Sequence, residues 1–443
     1  MENIIVEEKE RKINVLENNI TSLQKKYISF SFFAAFFCLG LCLASLGPAL
    51  LDLAAQTGSD IQSIGSIFAF RAFGYLSGSS IGGYLYEKIN GNYLLSAATC
   101  ICMIGSFIIP FSTSLPVLCF SVLLQGFAMG FLDTGGNLLL LRLHSEPDPS
   151  QAEPYMQAMH FSFALGALVI PLIMAMLNDL KKSFIIIAIF LLIVLINLIC
   201  ISLYFKNAKY AKSSKERSNE KKKVEKLGNK KDKTSLTFFK RSLNEKLICI
   251  FAGATLFIYV GAETSYGGLI YTYTNKLKWS DQDGKGVTAI YWGGLAIGRL
   301  IAIPLSTKFS PNKMLAIDLI GCLFSSIVLI IFSTNTFILW IMSFLHGFCY
   351  ASIFPAVLNA AALYIKQMDG ISTSIIIVGA SIGDMTIPAF AAFIMVGLGI
   401  DTFPIIILGC SIGCALSFLL MFYFGNNNNK KKSVVTVVEN ETI

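Results

Sequence analysis

Residues 111–127 read FSTSLPVLCFSVLLQGF, and residues 332–348 read FSTNTFILWIMSFLHGF. Aligned without a gap, seven of the seventeen positions coincide: Phe, Ser, Thr, Leu, Leu, Gly and Phe. Each stretch leads into a long apolar run, and each run is the fourth in its half of the chain. Farther along, Gly166 and Pro171 recur as Gly383 and Pro388 at the same spacing. The shared order in corresponding runs favours duplication over chance similarity in a biased composition.

Working outward from the repeat, twelve apolar runs are read at 28–51, 61–86, 93–112, 115–142, 155–178, 183–205, 246–272, 285–306, 313–333, 336–364, 370–396 and 401–424. About 20 apolar residues cross about 30 Å of hydrocarbon. Backbone groups in lipid must find partners inside the chain, so the runs are helices or barrel strands. Their length and continuous apolarity exclude the alternating pattern of barrel strands. The chain is therefore expected to be an all-α polytopic membrane protein. Its parts are a tail (1–27), a six-helix half (28–205), a basic linker (206–245), a second six-helix half (246–424) and a tail (425–443). Two parallel six-helix halves are the plan of the major facilitator fold.

Composition agrees: of 443 residues, 54% are hydrophobic and 14% charged, with a formal net charge of +8. Residues 206–246 hold fifteen Lys or Arg against five Asp or Glu, which reads as a cytosolic flank and not as a nucleic-acid surface. Lys25, Lys26, Lys88, Lys308, Lys313, Lys366 and Lys430 to Lys432 fall on the same side as that cluster. Lys181, Lys182, Lys276, Lys278 and Lys285 fall on the other. Both termini are thus expected in the cytosol. The sequons at Asn19 and Asn440 then lie in cytosolic tails, and no cleaved signal peptide is read. The eleven Cys are scattered within apolar runs without metal spacing, so neither zinc nor disulfides are expected. No GxxxxGK[ST], HExxH, GxSxG, selectivity-filter or Arg-rich sensor motif is present. These absences count against a nucleotide-driven pump, a membrane enzyme and a voltage-gated channel.

Ionisable groups at membrane depth need a partner, a wet cavity or a function. Arg71, Asp133, Glu263, Arg299, Asp318 and Asp384 are such groups, joined by His160 and His346. Asp133 and Asn137 are one turn apart on one helix face, and Gln125 two turns earlier extends a polar stripe. Carboxylate and amides suit either a polyol or a cation. Glu263 stands among Gly261, Gly267 and Gly268, which suggests a bent or locally broken helix. The nearby Tyr259, Tyr266, Tyr271 and Tyr273 offer hydroxyls and flat faces for a sugar ring. Arg71 and Arg299 occupy corresponding spans and are read as gating or helix-locking groups. A salt bridge between Arg299 and Asp384 is expected, and Asp318 is read as structural.

Four stretches, LGPALLDLA (46–54), FRAFGYLSGSSIGGYL (70–85), MHFSFALGALVIPL (159–172) and YVGAETSYGGLIYTY (259–273), resemble the major facilitator superfamily domain-containing 4 group. The resemblance spans both halves. It implies a hexose carrier of the plasma membrane that works by alternating access, with sodium coupling as one option. GGYLYEKINGN (82–92) occupies the superfamily loop between spans two and three. It departs from the usual pattern, with Glu87 in place of Asp and no Arg/Lys cluster, which argues against a gating salt bridge from that loop.

The expected substrate-facing residues are Gln125, Asp133, Asn137, His160, Glu263 and Tyr266. Arg71, Arg299 and Asp384 are expected to couple or gate. A co-transported sodium ion would use Asp133 or Glu263, and no cofactor is expected. The partners are a small polar solute, with a hexose first, and the bilayer, and the chain is expected to act as a monomer. Two alternatives stay open: a facilitative carrier for another small polar solute, and a non-transporting membrane receptor.

Overall fold

The computed structural model describes residues 20–145, 148–177, 179–205, 208, 210–212, 241–332, 335–365, 368–399 and 401–441. Among them every regular element is a helix. The long helices are α1 (Ser22–Thr57), α2 (Ser66–Leu85), α3 (Gly91–Ile108), α4 (Leu115–His144), α5 (Glu153–Leu177) and α6 (Leu180–Tyr204). They continue as α7 (Leu243–Lys276), α8 (Asp281–Leu305), α9 (Pro311–Ile331), α10 (Thr336–Tyr350, resumed as Ile353–Tyr364), α11 (Gly370–Leu398) and α12 (Thr402–Glu441). Their ends follow local chemistry. Thr21 and Gln24 form a reciprocal capping box on α1, and Gly58 closes that helix at φ 63°, a conformation glycine adopts without strain. Asp179, Ser280 and Asn335 cap α6, α8 and α10 with side-chain oxygens.

Among the described residues, eleven helices are long and apolar enough to cross a membrane. The other long helix, α2, has 20 residues, and Arg71 with its run of Gly and Ser lowers its mean hydropathy. Glycines hold it against α4. A Cβ on Gly74 would fall 2.3 Å from the Leu123 carbonyl oxygen, and one on Gly78 2.0 Å from that of Phe127. From the other side, a Cβ on Gly126 would fall 2.2 Å from the Arg71 carbonyl oxygen and one on Gly130 2.1 Å from that of Tyr75. The two backbones interlock wherever a side chain is missing.

The repeated sequence explains itself here. Gly126 and Gly347 are the same position of the duplicated stretch. A Cβ on Gly347 would meet the Tyr291 carbonyl oxygen at 2.1 Å, so α8 and α10 interlock as α2 and α4 do. A Cβ on Gly166 would fall 2.0 Å from the Phe37 carbonyl oxygen and one on Gly383 1.9 Å from that of Phe257. Thus α5 lies on α1 and α11 on α7 by the same device.

The chain divides into two compact units, which differ from the expected halves. The first holds residues 1–146, 162–241 and 367–374; the second holds 147–161, 242–366 and 375–443. The start of α5 therefore packs with carboxyl-half helices, and the start of α11 with amino-half helices.

In the first unit, Glu87 accepts bonds from the Gly370 amide and from Arg142 at 3.2 Å. The cation that meets Glu87 thus comes from the end of α4 and not from the loop itself. Ser374 donates to the Ser79 carbonyl at 2.7 Å, and buried Arg241 pairs with Asp369 at 3.1 Å. Asp369 also caps α11 through the Ser372 amide. The described ends of the linker are thus packed, not solvated. Tyr210 bonds Asn92 at 3.0 Å, and Ala211 accepts from the Gly91 amide at 2.7 Å. Linker residues 213–240, together with Glu146 and Lys366, lie outside the described residues.

Candidate functional site

In the first unit, the α2–α4 interlock sets Tyr75 opposite Asp133. The Tyr75 hydroxyl donates to Asp133 Oδ2 at 2.6 Å, and Asn137 donates to Oδ1 at 2.8 Å. Asp133 is 6% exposed, and among the described residues it has no cationic partner. Hydrogen bonds to a charged group stabilise by about 1.5–3 kcal/mol each, so this pair of neutral donors can hold a carboxylate at membrane depth.

The expected polar stripe splits. Gln125 is fully buried and turns to α3, where its amide donates to Ser106 at 2.9 Å. Eight residues at 3.6 per turn leave Gln125 about 80° around the helix from Asp133, enough to face a different neighbour. His346, the position matching Gln125 in the repeat, bonds Ser325 on α9 at 2.7 Å. Arg71 donates to the Leu43 carbonyl at 2.7 Å. That carbonyl precedes the one on Ala44 that Pro48 deprives of its helical donor.

In the second unit, Glu263 pairs with Arg299 at 3.6 Å and accepts a bond from the Tyr259 hydroxyl. The Tyr291 hydroxyl reaches the Glu263 carbonyl at 3.0 Å. Asp384, expected to hold Arg299, instead accepts from Thr264 at 2.6 Å. The reason is register: Glu263 and Thr264 are adjacent on α7, so they face different neighbours. The expected break in α7 is also corrected, since the helix runs unbroken from Leu243 to Lys276. Its small residues serve contact, with Gly261 against α11 and Gly267 under the Trp292 ring.

Tyr266 is fully buried. Its ring stacks between Tyr291 at 4.5 Å and His346 at 4.9 Å, and its hydroxyl bonds Ser343 at 2.8 Å. His160 sets its ring against Phe354 at 4.7 Å. It belongs to the second unit, while Gln125, Asp133 and Asn137 belong to the first. Asp384 is exposed midway along α11, a position that requires water against that face. All eleven Cys are free thiols, and among the described residues no three His, Cys, Asp or Glu side chains converge as a metal cluster.

Tyr75, Thr264 and Tyr291 were not singled out from the sequence. Tyr75 lies four residues after Arg71 on one face of α2, the spacing that could have marked it.

A bundle of membrane helices built twice from one pattern, with ionisable groups held midway along the helices, defines a polytopic carrier. The chain belongs to the Major Facilitator Superfamily, whose pattern matches residues 32–284 and 251–440. Within it, sodium-dependent glucose transporter 1 of Xenopus laevis is 33% identical over 375 residues, covering 80% of this chain and 73% of that protein. The Homo sapiens protein of that name is 30% identical over 393 residues, covering 80% and 71%. Major facilitator superfamily domain-containing protein 4A of Danio rerio is 27% identical over 455 residues, covering 87% and 85%.

Two solved structures share the fold. One is FucP in the outward conformation, with TM-score 0.67 and 16% identity over 91% of this chain and 99% of that one. The other is the proton:xylose symporter XylE bound to 6-bromo-6-deoxy-D-glucose, with TM-score 0.68 and 12% identity over 91% and 96%. The chain is thus a multi-pass membrane transporter related to sodium-dependent glucose transporters.

Proposed function

We propose that this chain carries a hexose such as glucose across the plasma membrane by alternating access, driven by a co-transported cation, with sodium the first choice. The observation that carries this reading is Asp133: a mid-helix carboxylate held by a hydroxyl and an amide, with no cationic partner among the described residues. A carboxylate so held keeps lone pairs for a sodium ion or for a sugar hydroxyl. The charge of Glu263 is offset by Arg299, which makes Asp133 the better coupling group of the two. In the first unit Asn137 beside Asp133 is assigned to the substrate and Arg71 to gating. In the second, Glu263 and His160 are assigned to the substrate and Arg299 and Asp384 to gating, while the fully buried Gln125 and Tyr266 support the helices that carry them. Both termini are placed in the cytosol by the Lys and Arg bias. The names of the relatives support sugar and sodium together.

The test is labelled glucose uptake into sealed vesicles holding the purified protein, with an inward sodium gradient or with potassium in its place. Accumulation above equilibrium with sodium alone is expected. Equal, non-concentrative uptake in both would replace the symporter with a facilitative sugar carrier. Absence of uptake by folded protein would remove glucose.

A further inference from the structure

The second unit contains another buried polar chain that the roles above leave unused. Glu153 opens α5 and is fully buried. Gln157, one turn on, donates its amide to Glu153 Oε1 at 2.8 Å and to the Ser352 carbonyl at 3.3 Å. Ser352 lies where α10 is interrupted, and its hydroxyl bonds Asp318 on α9. The Asn359 amide, also fully buried, lies beside Glu153. Two carboxylates from separate helices are thereby joined through one side-chain amide and one broken stretch of backbone.

Among the described residues, no cationic side chain belongs to this polar network. The titratable groups facing Asp318 are Glu153 and the thiols of Cys322 and Cys349. The neighbours of Glu153 are the Gln157 and Asn359 amides. From α8, the residues toward Asp318 are the apolar Gly298, Ile301, Ala302 and Leu305, and Arg299 is engaged by Glu263. His160, two turns after Glu153, turns its ring to Phe354. Glu153 Oε2 and Gln157 Oε1 are buried without a close hydrogen-bond partner, the Gln157 amide protons and the Ser352 hydroxyl are already committed, and the neutral Asn359 amide beside Glu153 is the uncommitted donor among these groups. The Gln157 orientation is fixed, since a flipped amide would set oxygen against carboxylate. Buried carboxylates without a counter-charge are relieved by taking up a cation or a proton. Interrupted helices supply carbonyl oxygens to such ions in other carriers. A cavity of about 60 Å³ reaches Asp318 and Ser352, room enough for water.

We propose that the Glu153–Gln157–Ser352–Asp318 chain is a monovalent-cation site, taking one proton or one alkali cation onto oxygens from α5, α9 and α10. It is separate from Asp133 and does not depend on which solute is carried.

The test is thermal unfolding of the purified full-length protein in lipid nanodiscs. One arm exchanges choline for sodium at constant ionic strength and alkaline pH. The other acidifies in choline alone. Every protein in both arms carries Asp133→Asn as its background, so that no part of the response comes from the coupling carboxylate. The midpoint of this parent should rise with sodium if the site takes an alkali cation, or with acid if it takes a proton. Glu153→Gln and Asp318→Asn resemble the filled site, so each should lose the response and keep a midpoint at or above that of the cation-free parent. Gln157→Met, which keeps both acids but removes an acceptor, should raise the sodium needed for half the shift about tenfold or move the pH midpoint by about one unit. It serves if either neutralised variant fails to fold. A parent midpoint that moves in neither arm, or a response kept in both neutralised variants, overturns the site. Either result leaves the sugar reading standing, because that rests on uptake and Asp133.

Discussion

Asp133 and Glu263 are both carboxylates midway along helices, and their surroundings separate their chemistry. Asp133 has two neutral donors, so replacing its charge should remove ion coupling without collapsing the site. Asp133→Asn is expected to lose sodium-driven accumulation in vesicles while solute exchange at equal concentrations survives. Unchanged accumulation would end its role. Glu263 and Arg299 form a mostly buried pair with side chains 15% and 8% exposed. Removing one partner strands the other charge. Arg299→Met should therefore lower stability by about 3–5 kcal/mol, and Glu263→Gln added to it should restore most of the loss. A double-mutant cycle on unfolding free energies measures both. Of these contacts, Asp133 with Asn137 is legible in sequence, because one helical turn joins them. Tyr75 with Asp133 is not, because 58 residues separate partners that only helix packing brings together.

At the scale of the element, glycine decides which helices touch. The repeated Gly126 and Gly347 let α4 and α10 lie against the backbones of α2 and α8. Gly347→Val would drive a side chain into the Tyr291 carbonyl. It should cost about 1–3 kcal/mol and disturb the Tyr291–Tyr266–His346 stack. Gly397, whose added Cβ would meet nothing within 4 Å, is the control: Gly397→Ala should leave the unfolding midpoint unchanged. Sequence reasoning found the small faces of α2 and correctly tied them to close contact. Around Glu263 it read the same residue type as a bend or local break, and α7 runs unbroken. The residue type alone cannot distinguish these uses, because the backbone that would crowd an added Cβ belongs to another element.

For the whole molecule, the unexpected feature is the exchange of short segments. Residues 147–161 and 367–374 each belong to the compact unit of the opposite sequence half. The 367–374 segment is held by Glu87 and Arg142 and by Arg241 with Asp369. Arg241 reads in sequence as one cation among fifteen in a solvated linker, yet its side chain is 4% exposed and paired. Arg241→Ala should thus destabilise by about 3–5 kcal/mol, whereas loss of an exposed lysine in a surface pair is worth under about 1 kcal/mol. Thermal unfolding of Arg241→Ala beside Lys182→Ala, whose pair with Asp179 is mostly exposed, makes the comparison.

The amino-acid sequence by itself determined the membrane class, the number and order of the helices and their duplication. It also located the mid-helix charges. These follow from hydropathy, helical period and repeat, which are properties of residues near one another in the chain. Only the tertiary structure decided which charge meets which. Arg299 went to Glu263 and not to Asp384, Glu87 found its cation at the end of α4, and Glu153 and Asp318 were joined through a break in α10. Such pairings depend on the rotation and depth of helices far apart in sequence. A rotation of one residue, about 100°, turns a side chain from one neighbour to the next.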